Sequence, residues 1–372
     1  MAAIDDETNA QVARPSESRR DPEQLRARLD AWLKTKAGDD ARVTAVTIPE
    51  SNGMSSETLL AEASWDGEDR RLVVRVAPQA DSDPVFPHYD LDGQFRVIEH
   101  VRAHSDIPLP RLWWSEPGDD ALGAPFFVMD RIDGEVPPDV MPYTFGSWVA
   151  DASREDRTRL MRETISVLAR VHAVPVPDVF VAQPTGDDTP LRAHVRRLRE
   201  FYDWASRDRA GSGLIERGFA WIEEHLPETP ENVFTWGDAR IGNIMYRDFT
   251  PVAVLDWEMA AVGPRELDLA WTIFLHRFFQ DLAELAGMEG LPDFLRREDV
   301  AAEYLKQTGH RPTDLDFYTT YAALIHAVIM FRIQCRAIHF GHAQEPADPD
   351  EMILHRATLE AMLAGTYWGQ IK

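Results

Sequence analysis

The stretch that most constrains this chain is WGDARIGNIMYRDFTPVAVLDWE, residues Trp236 to Glu258. "NIMY" and "VAVL" are short, apolar and strand-like. "RDFTP" between them carries turn residues, so the segment is expected to fold as a hairpin. A hairpin brings its outer ends together. Asn243 stands at the start of the first strand and Asp256 at the end of the second. Adjacent strands lie about 4.8 Å apart, so these two side chains can reach one ion. One charged and one neutral oxygen suit Mg²⁺, a hard cation that keeps waters and shares phosphates with a substrate. Asp238, five residues before Asn243, projects from the same loop and is placed to accept a proton from a hydroxyl. An orienting Asp, a metal-binding Asn and a second metal-binding Asp together make a phosphoryl-transfer constellation.

The chain around this island has 372 residues, enough for one large or two moderate domains. Residues 1–22 read as a flexible polar leader, followed by a helix with Leu25, Leu29, Trp32 and Leu33 on one side. "VTAVTIPE", "TLLAEASW" and "RRLVVRVAP" are rich in β-formers and separated by polar breaks, which predicts an antiparallel meander. A helix over 91–104 and two further strand-like runs, "PLPRLWWSE" and "APFFVMDRIDG", follow. Past "DGEVPPDVMP" the pattern is mainly helical. The expectation is an α+β bilobal architecture with a sheet-rich N-terminal lobe over 23–135 and a helical lobe over 136–372. Clefts between lobes are common sites for small ligands.

Composition narrows the function. A formal net charge of −24 repels nucleic acid and anionic membranes, so neither is an expected partner. The single cysteine, Cys335, needs no oxidising compartment, and the polar N-terminus carries no apolar signal core, so the expected location is cytoplasmic. No run approaches the roughly 20 apolar residues of a membrane span; "YAALIHAVIMF" is the most apolar and contains a His. Cys335, His339 and His342 fall at helical spacing, yet a structural zinc site needs four ligands. There is no GxxxxGK[ST], no GxSxG and no GxGxxG after a strand.

With the loop and hairpin in view, the chain resembles the aminoglycoside phosphotransferase-like family of small-molecule kinases, which share the protein-kinase fold. The likeness covers about residues 40 to 340. The family's His-Gly-Asp-x-x-x-x-Asn loop corresponds to Trp236-Gly237-Asp238 through Asn243, and its Asp-Trp/Phe-Glu strand end to Asp256-Trp257-Glu258. "GPRELDLAW" resembles the trailing pattern in which an acid, here Asp268, braces the catalytic loop. The "PLPR" segment and the Arg on the third strand look closer to the branch related to acyl-CoA-dehydrogenase-associated kinase domains.

The resemblance implies further roles in the sheet lobe. "GMSSET" corresponds to a phosphate loop, so Gly53, Ser55 and Ser56 would cradle the triphosphate, with Ser56 where the family has Asn. Arg75 would grip phosphates from the third strand. Gln94 stands where the family has the helix Glu that pairs with this basic residue, and Glu99 lies too far around the helix to replace it. "FFVMDRIDG" resembles the hinge, with backbone near Asp130 and Ile132 reading the adenine edge. Two departures stand out: Gln94 for Glu, and Trp236 for a His that mostly packs.

The reading is a Mg²⁺-dependent kinase that moves the γ-phosphate of ATP or GTP to a hydroxyl of an aminoglycoside-like, amino-alcohol or hydroxyacyl small molecule. The acceptor is expected between residues 190–225 and 270–345. A nucleotide-binding regulator with little transferase activity is the alternative that Gln94 and Trp236 motivate. The stretch "EMAAVGPRELDLAW" is too short for the peptide platform of a protein kinase.

Overall fold

A computed structural model describes residues 20–49, 56–78, 83–180, 189–228 and 231–370. Helix α1 (Pro22–Ala37) starts on Asp21, whose side chain accepts from the Glu23 amide, with Pro at the first helical position. It buries the four expected apolar residues against β1 (Arg42–Thr47). The end of the expected leader is structured: Arg20 pairs with Glu57 at 3.4 Å and donates to the Ala77 carbonyl at 3.2 Å.

The meander continues through β2 (Glu57–Trp65) and β3 (Glu68–Val76), in a register that sets Thr58 opposite Arg75. Helix α2 (Leu91–His104) then packs on β4 (Leu112–Glu116) and β5 (Phe126–Asp130). The chain returns so that β5 inserts between β3 and β4, giving the order β1-β2-β3-β5-β4. Alternate residues of β2 and β3 are buried, as a sheet with one covered face requires.

The helical lobe contains α3 (Trp148–Asp151), α4 (Arg154–Val171), α5 (Pro190–Ser206) and α6 (Gly213–His225). The strand island has more in it than the sequence suggested. Strand β6 (Asn232–Thr235) leads in, β7 (Ile244–Arg247) and β8 (Thr250–Val254) form the expected hairpin, and β9 (Ala261–Pro264) pairs back onto β6. The hairpin turn holds Asp248 and Phe249 both at positive φ, a conformation Phe adopts here while its ring packs on Trp148.

Helices α7 (Glu266–Leu285), α8 (Arg297–Thr308), α9 (Leu315–His339), α10 (Arg356–Leu363) and α11 (Tyr367–Gln370) complete the chain. Helix α9 is long and apolar enough to cross a bilayer by length and composition, which the shorter apolar run had not suggested. However, 72% of its most apolar window is buried, against α5, α6, α7 and α10. A helix that is apolar nearly all round belongs in a core.

Candidate active site

The connector that leaves β5 is tied to the hairpin before the helical lobe begins. Glu135 and Tyr246 exchange backbone hydrogen bonds of 2.9 and 2.8 Å. The hairpin register places Ile244 opposite Val254, and the Leu255 amide donates to the Asn243 carbonyl at 2.8 Å. Asn243 and Asp256 therefore flank the same hairpin end, as the sequence implied.

The loop before the hairpin is braced from α7. Asp268 is fully buried and accepts from the Trp236 amide (2.7 Å) and the Gly237 amide (2.9 Å). His172, at the end of α4, completes the arrangement, with Nε2 3.1 Å from Asp268 and Nδ1 2.7 Å from the Tyr304 hydroxyl. Gly237 has φ +88°, and a Cβ there would stand 2.1 Å from the Met259 carbonyl oxygen, so only glycine fits. Trp236 fills the core under the loop, and its indole N–H reaches the carbonyls of Leu255 and Asp256, each at 3.0 Å. The departure from His thus adds a tie between the loop and the far end of the hairpin.

Asp238 is the most heavily engaged carboxylate of the site. Its Oδ2 accepts from Asn243 Nδ2 at 2.5 Å and its Oδ1 from the Trp271 indole at 2.7 Å. Arg240 Nε donates to both oxygens at 3.2 and 3.1 Å. These bonds fix the carboxylate's orientation and occupy its lone pairs, so a hydroxyl reaches it only by displacing part of the Arg240 pairing. Because Asn243 uses its amide nitrogen on Asp238, its Oδ1 remains as a donor oxygen for a cation.

Asp256 has the features of a cation ligand. Its backbone is held at φ +56°, and its Oδ1 is buried with no hydrogen-bond partner among the described residues. Burial pushes its carboxyl above the usual carboxylate range. Arg75 pulls it back, Asp238 pushes it further up, and Arg240 again opposes. A buried carboxylate oxygen without a partner, on the hairpin end that also carries the Asn243 amide, is a donor set that fits Mg²⁺. Among the described residues no cluster of three His, Cys, Asp or Glu side chains competes for a metal.

The sheet-lobe expectations fare unevenly. Arg75 faces the site, 3.3 Å from the Thr58 hydroxyl and 3.9 Å from Asp256. Gln94 is not its partner. It is 8% exposed, lines a neighbouring cavity and makes no side-chain hydrogen bond to Arg75 among the described residues. Glu99 is exposed. Gly53 and Ser55 lie outside the described residues, whereas Ser56 is buried with its hydroxyl unpartnered among them. At the hinge, the Asp130 side chain accepts from the Trp113 indole (2.6 Å) and its amide donates to the Arg111 carbonyl. The Arg131 amide donates to the Arg71 carbonyl, so Ile132 is the first residue beyond the ladder.

The cavity that receives Gln94 has a volume of about 570 Å³. Its walls come from the segment before α2, from α5 and α9, and from the residues just after Asp256. Phe86, Phe201, Met259, Ile325 and Ile329 supply apolar surface, while His194, Arg197 and Glu258 supply polar groups. Burial and the nearby Arg197 push the His194 imidazole down to about 4, so it is neutral at physiological pH; its Nδ1 meets the Tyr321 hydroxyl at 2.7 Å. The expected acceptor region included both helices but not the segment before α2. The sequence reading also passed over Arg240, Trp271, His172 and Asp139. Three of these lay inside strings already singled out, but nothing in those strings indicated which side chains converge.

The comparisons with known proteins agree with this geometry. The sequence model of the phosphotransferase enzyme family matches residues 51–304. Mouse acyl-CoA dehydrogenase family member 10 is 24% identical over 329 residues, which is 83% of this chain and 28% of that protein. The chain therefore spans less than a third of that relative's length. A solved protein of Ralstonia eutropha JMP134, assigned to the aminoglycoside phosphotransferases, superposes with a TM-score of 0.64 at 19% identity over 92% of this chain and 98% of that one. ADP-bound aminoglycoside phosphotransferase APH(2'')-Ib superposes at 0.53 and 13% identity, over 92% and 98%. At these identities the likeness establishes the kinase-like fold, and the sequence match over well over half of the chain establishes membership. The chain belongs to the phosphotransferase enzyme family.

Proposed function

We propose that this protein transfers the γ-phosphoryl group of ATP or GTP to a hydroxyl of a small molecule. The observation that carries the reading is the convergence of Asp238, Asn243 and Asp256 on one loop and hairpin, with a buried Asp256 oxygen left for a cation. Asp238 orients the acceptor hydroxyl and takes its proton. Asn243 and Asp256 would hold Mg²⁺, which when bound supplies neutralisation of phosphate charge. Arg75 and the residues Gly53, Ser55 and Ser56 position the triphosphate, and the backbone at Asp130 and Ile132 meets the base. The ADP complex of the structural neighbour supports a nucleotide co-substrate. Catalysis here is positioning and charge neutralisation.

The 570 Å³ cavity beside Glu258 is the acceptor site in this reading. Its aromatic and aliphatic walls, with Arg197 at the rim, suit a hydroxyl carried on an acyl chain better than a polycationic sugar, which would need a wall of carboxylates. The similarity to an acyl-CoA dehydrogenase family member supports the same choice.

The test is a thermal-shift titration with ATP and GTP, each with and without Mg²⁺, followed by an acceptor screen with the preferred nucleotide. A Mg²⁺-dependent rise in midpoint supports the reading, because a ligand that binds only the folded state stabilises it by mass action. No shift at millimolar nucleotide overturns it.

A further inference from the structure

Arg240, two residues beyond Asp238, is held between two carboxylates. Its Nε lies on both oxygens of Asp238, and its Nη1 donates to Asp139 Oδ2 at 2.5 Å. Its Nη2 has no partner among the described residues. Asp139 comes from the connector after β5, so the guanidinium joins that connector to the catalytic loop. The loop leaves space for this. A Cβ at position 242 would stand 2.4 Å from Arg240 Nη1 and 2.9 Å from Asp139 Oδ1, so Gly242 is what the fork requires.

An Arg bonded to the proton-accepting Asp stands one group away from the oxygen on which that Asp acts. The transferring phosphoryl spreads its charge over three equatorial oxygens, and a guanidinium fork matches that geometry. Asp238 also has to shed part of its pairing with Arg240 before it can take a proton. One movement of the guanidinium serves both needs.

We infer that Arg240 is a catalytic residue, held on Asp238 and Asp139, that turns its Nη2 and Nε to the transferring phosphoryl oxygens while Asp139 anchors Nη1. The inference rests on the phosphotransferase reading of this site. In the step, the bond from the γ-phosphorus to the β–γ bridging oxygen breaks with its electron pair leaving on the nucleoside diphosphate. The acceptor oxygen forms the new P–O bond and its proton passes to Asp238. Arg240 neither gains nor loses a proton.

The experiment uses the full chain and needs no identified acceptor, because water serves as one in slow hydrolysis of Mg²⁺–ATP or Mg²⁺–GTP. Nucleotide affinity is read by calorimetry and hydrolysis by phosphate release, for the unaltered protein, Arg240→Gln, Arg240→Lys and Arg240→Ala. The expected result is a hydrolysis rate lower by about 10²–10³-fold in Arg240→Gln with affinity unchanged. Arg240→Lys should be intermediate, and guanidinium ion at tens of millimolar should partly restore Arg240→Ala. Hydrolysis by Arg240→Gln at the unaltered rate overturns the inference and leaves the phosphotransferase reading standing. A loss of folding, affinity and rate together in every variant, with no guanidinium rescue, makes Arg240 a structural brace and also overturns it. Failure of the unaltered protein to bind either nucleotide overturns both readings at once.

Discussion

Arg75 of β3 and Asp256 at the end of the hairpin face one another across the cleft, with Nη2 and Oδ2 3.9 Å apart. That distance is too long for a hydrogen bond and short enough for an ion pair. The pair leaves Asp256 Oδ1 without a hydrogen-bond partner among the described residues, so the carboxylate is poorly compensated.

Asp256→Asn should therefore stabilise the nucleotide-free protein at neutral pH, by about 1 kcal/mol, while weakening Mg²⁺-dependent nucleotide binding. Asn is the substitution of choice because it tolerates the positive φ at this position. The sign follows from the raised carboxyl of Asp256. A raised acid favours the folded state only at low pH, and that contribution is lost as pH rises through the raised value. The gain in Asn over Asp should accordingly shrink as the pH is lowered. Paired thermal melts at neutral and acid pH check this.

Gln94→Glu would bring back the family's acidic residue. Gln94 is buried in the cavity wall, so the new carboxylate would lose hydration there. The expected outcome is a lower melting midpoint with nucleotide affinity unchanged. Tighter nucleotide binding in this variant would show that Gln94 belongs to the phosphate site.

Trp236→His tests the other departure. The indole is fully buried, tilted against Trp257 at 5.8 Å, and donates to two carbonyls at the hairpin end. The smaller ring leaves a void and keeps at most one of those bonds, for a loss of about 2–4 kcal/mol. Asp268 still holds the Trp236 and Gly237 amides, so nucleotide hydrolysis per folded molecule should fall far less than stability. Chemical denaturation and phosphate release report the two separately.

His355 is 5% exposed and its Nε2 meets the Ala323 carbonyl at 2.9 Å, beside His326. Burial pushes its imidazole from 6.5 to about 4. For a base depressed in this way, the unfolded chain takes the proton first. The stabilising contribution is complete above 6.5 and is lost as pH falls toward 4, on the order of 3 kcal/mol. His355→Gln should flatten the acid limb of a melting-midpoint profile over that window and leave it unchanged above neutrality.

What the sequence revealed follows from how local each signal is. The bounds of α2 match the expected helix because an Asp cap and helical apolar spacing act within a few residues. The β7–β8 hairpin was legible for the same reason. Strand β9 was not, since Ala261–Pro264 is four residues long, contains Gly and Pro, and has no alternation; its pairing with β6 is what makes it a strand. Asp238, Asn243 and Asp256 were found because one hairpin carries the set. Asp139 was not, because it meets Arg240 across 101 residues of sequence. The position of Gln94 on its helix could be read, but the direction its side chain faces depends on α5 and α9 arriving on the other side of the cavity.

The connector after β5 has one more consequence. The Arg131 amide is bonded to β3 through Arg71, while the Asp133 carbonyl accepts from Arg247 of β7 at 2.7 Å and Glu135 is bonded to Tyr246. Sheet and hairpin are each stitched to this short segment from opposite ends, and Ile132 lies between the two seams. The Val254 amide of β8 also donates to the Pro108 carbonyl at 2.8 Å, so the sheet lobe is fastened to the hairpin at a second place, two residues short of Asp256. A push at either seam is therefore carried to the hairpin end that holds Asp256.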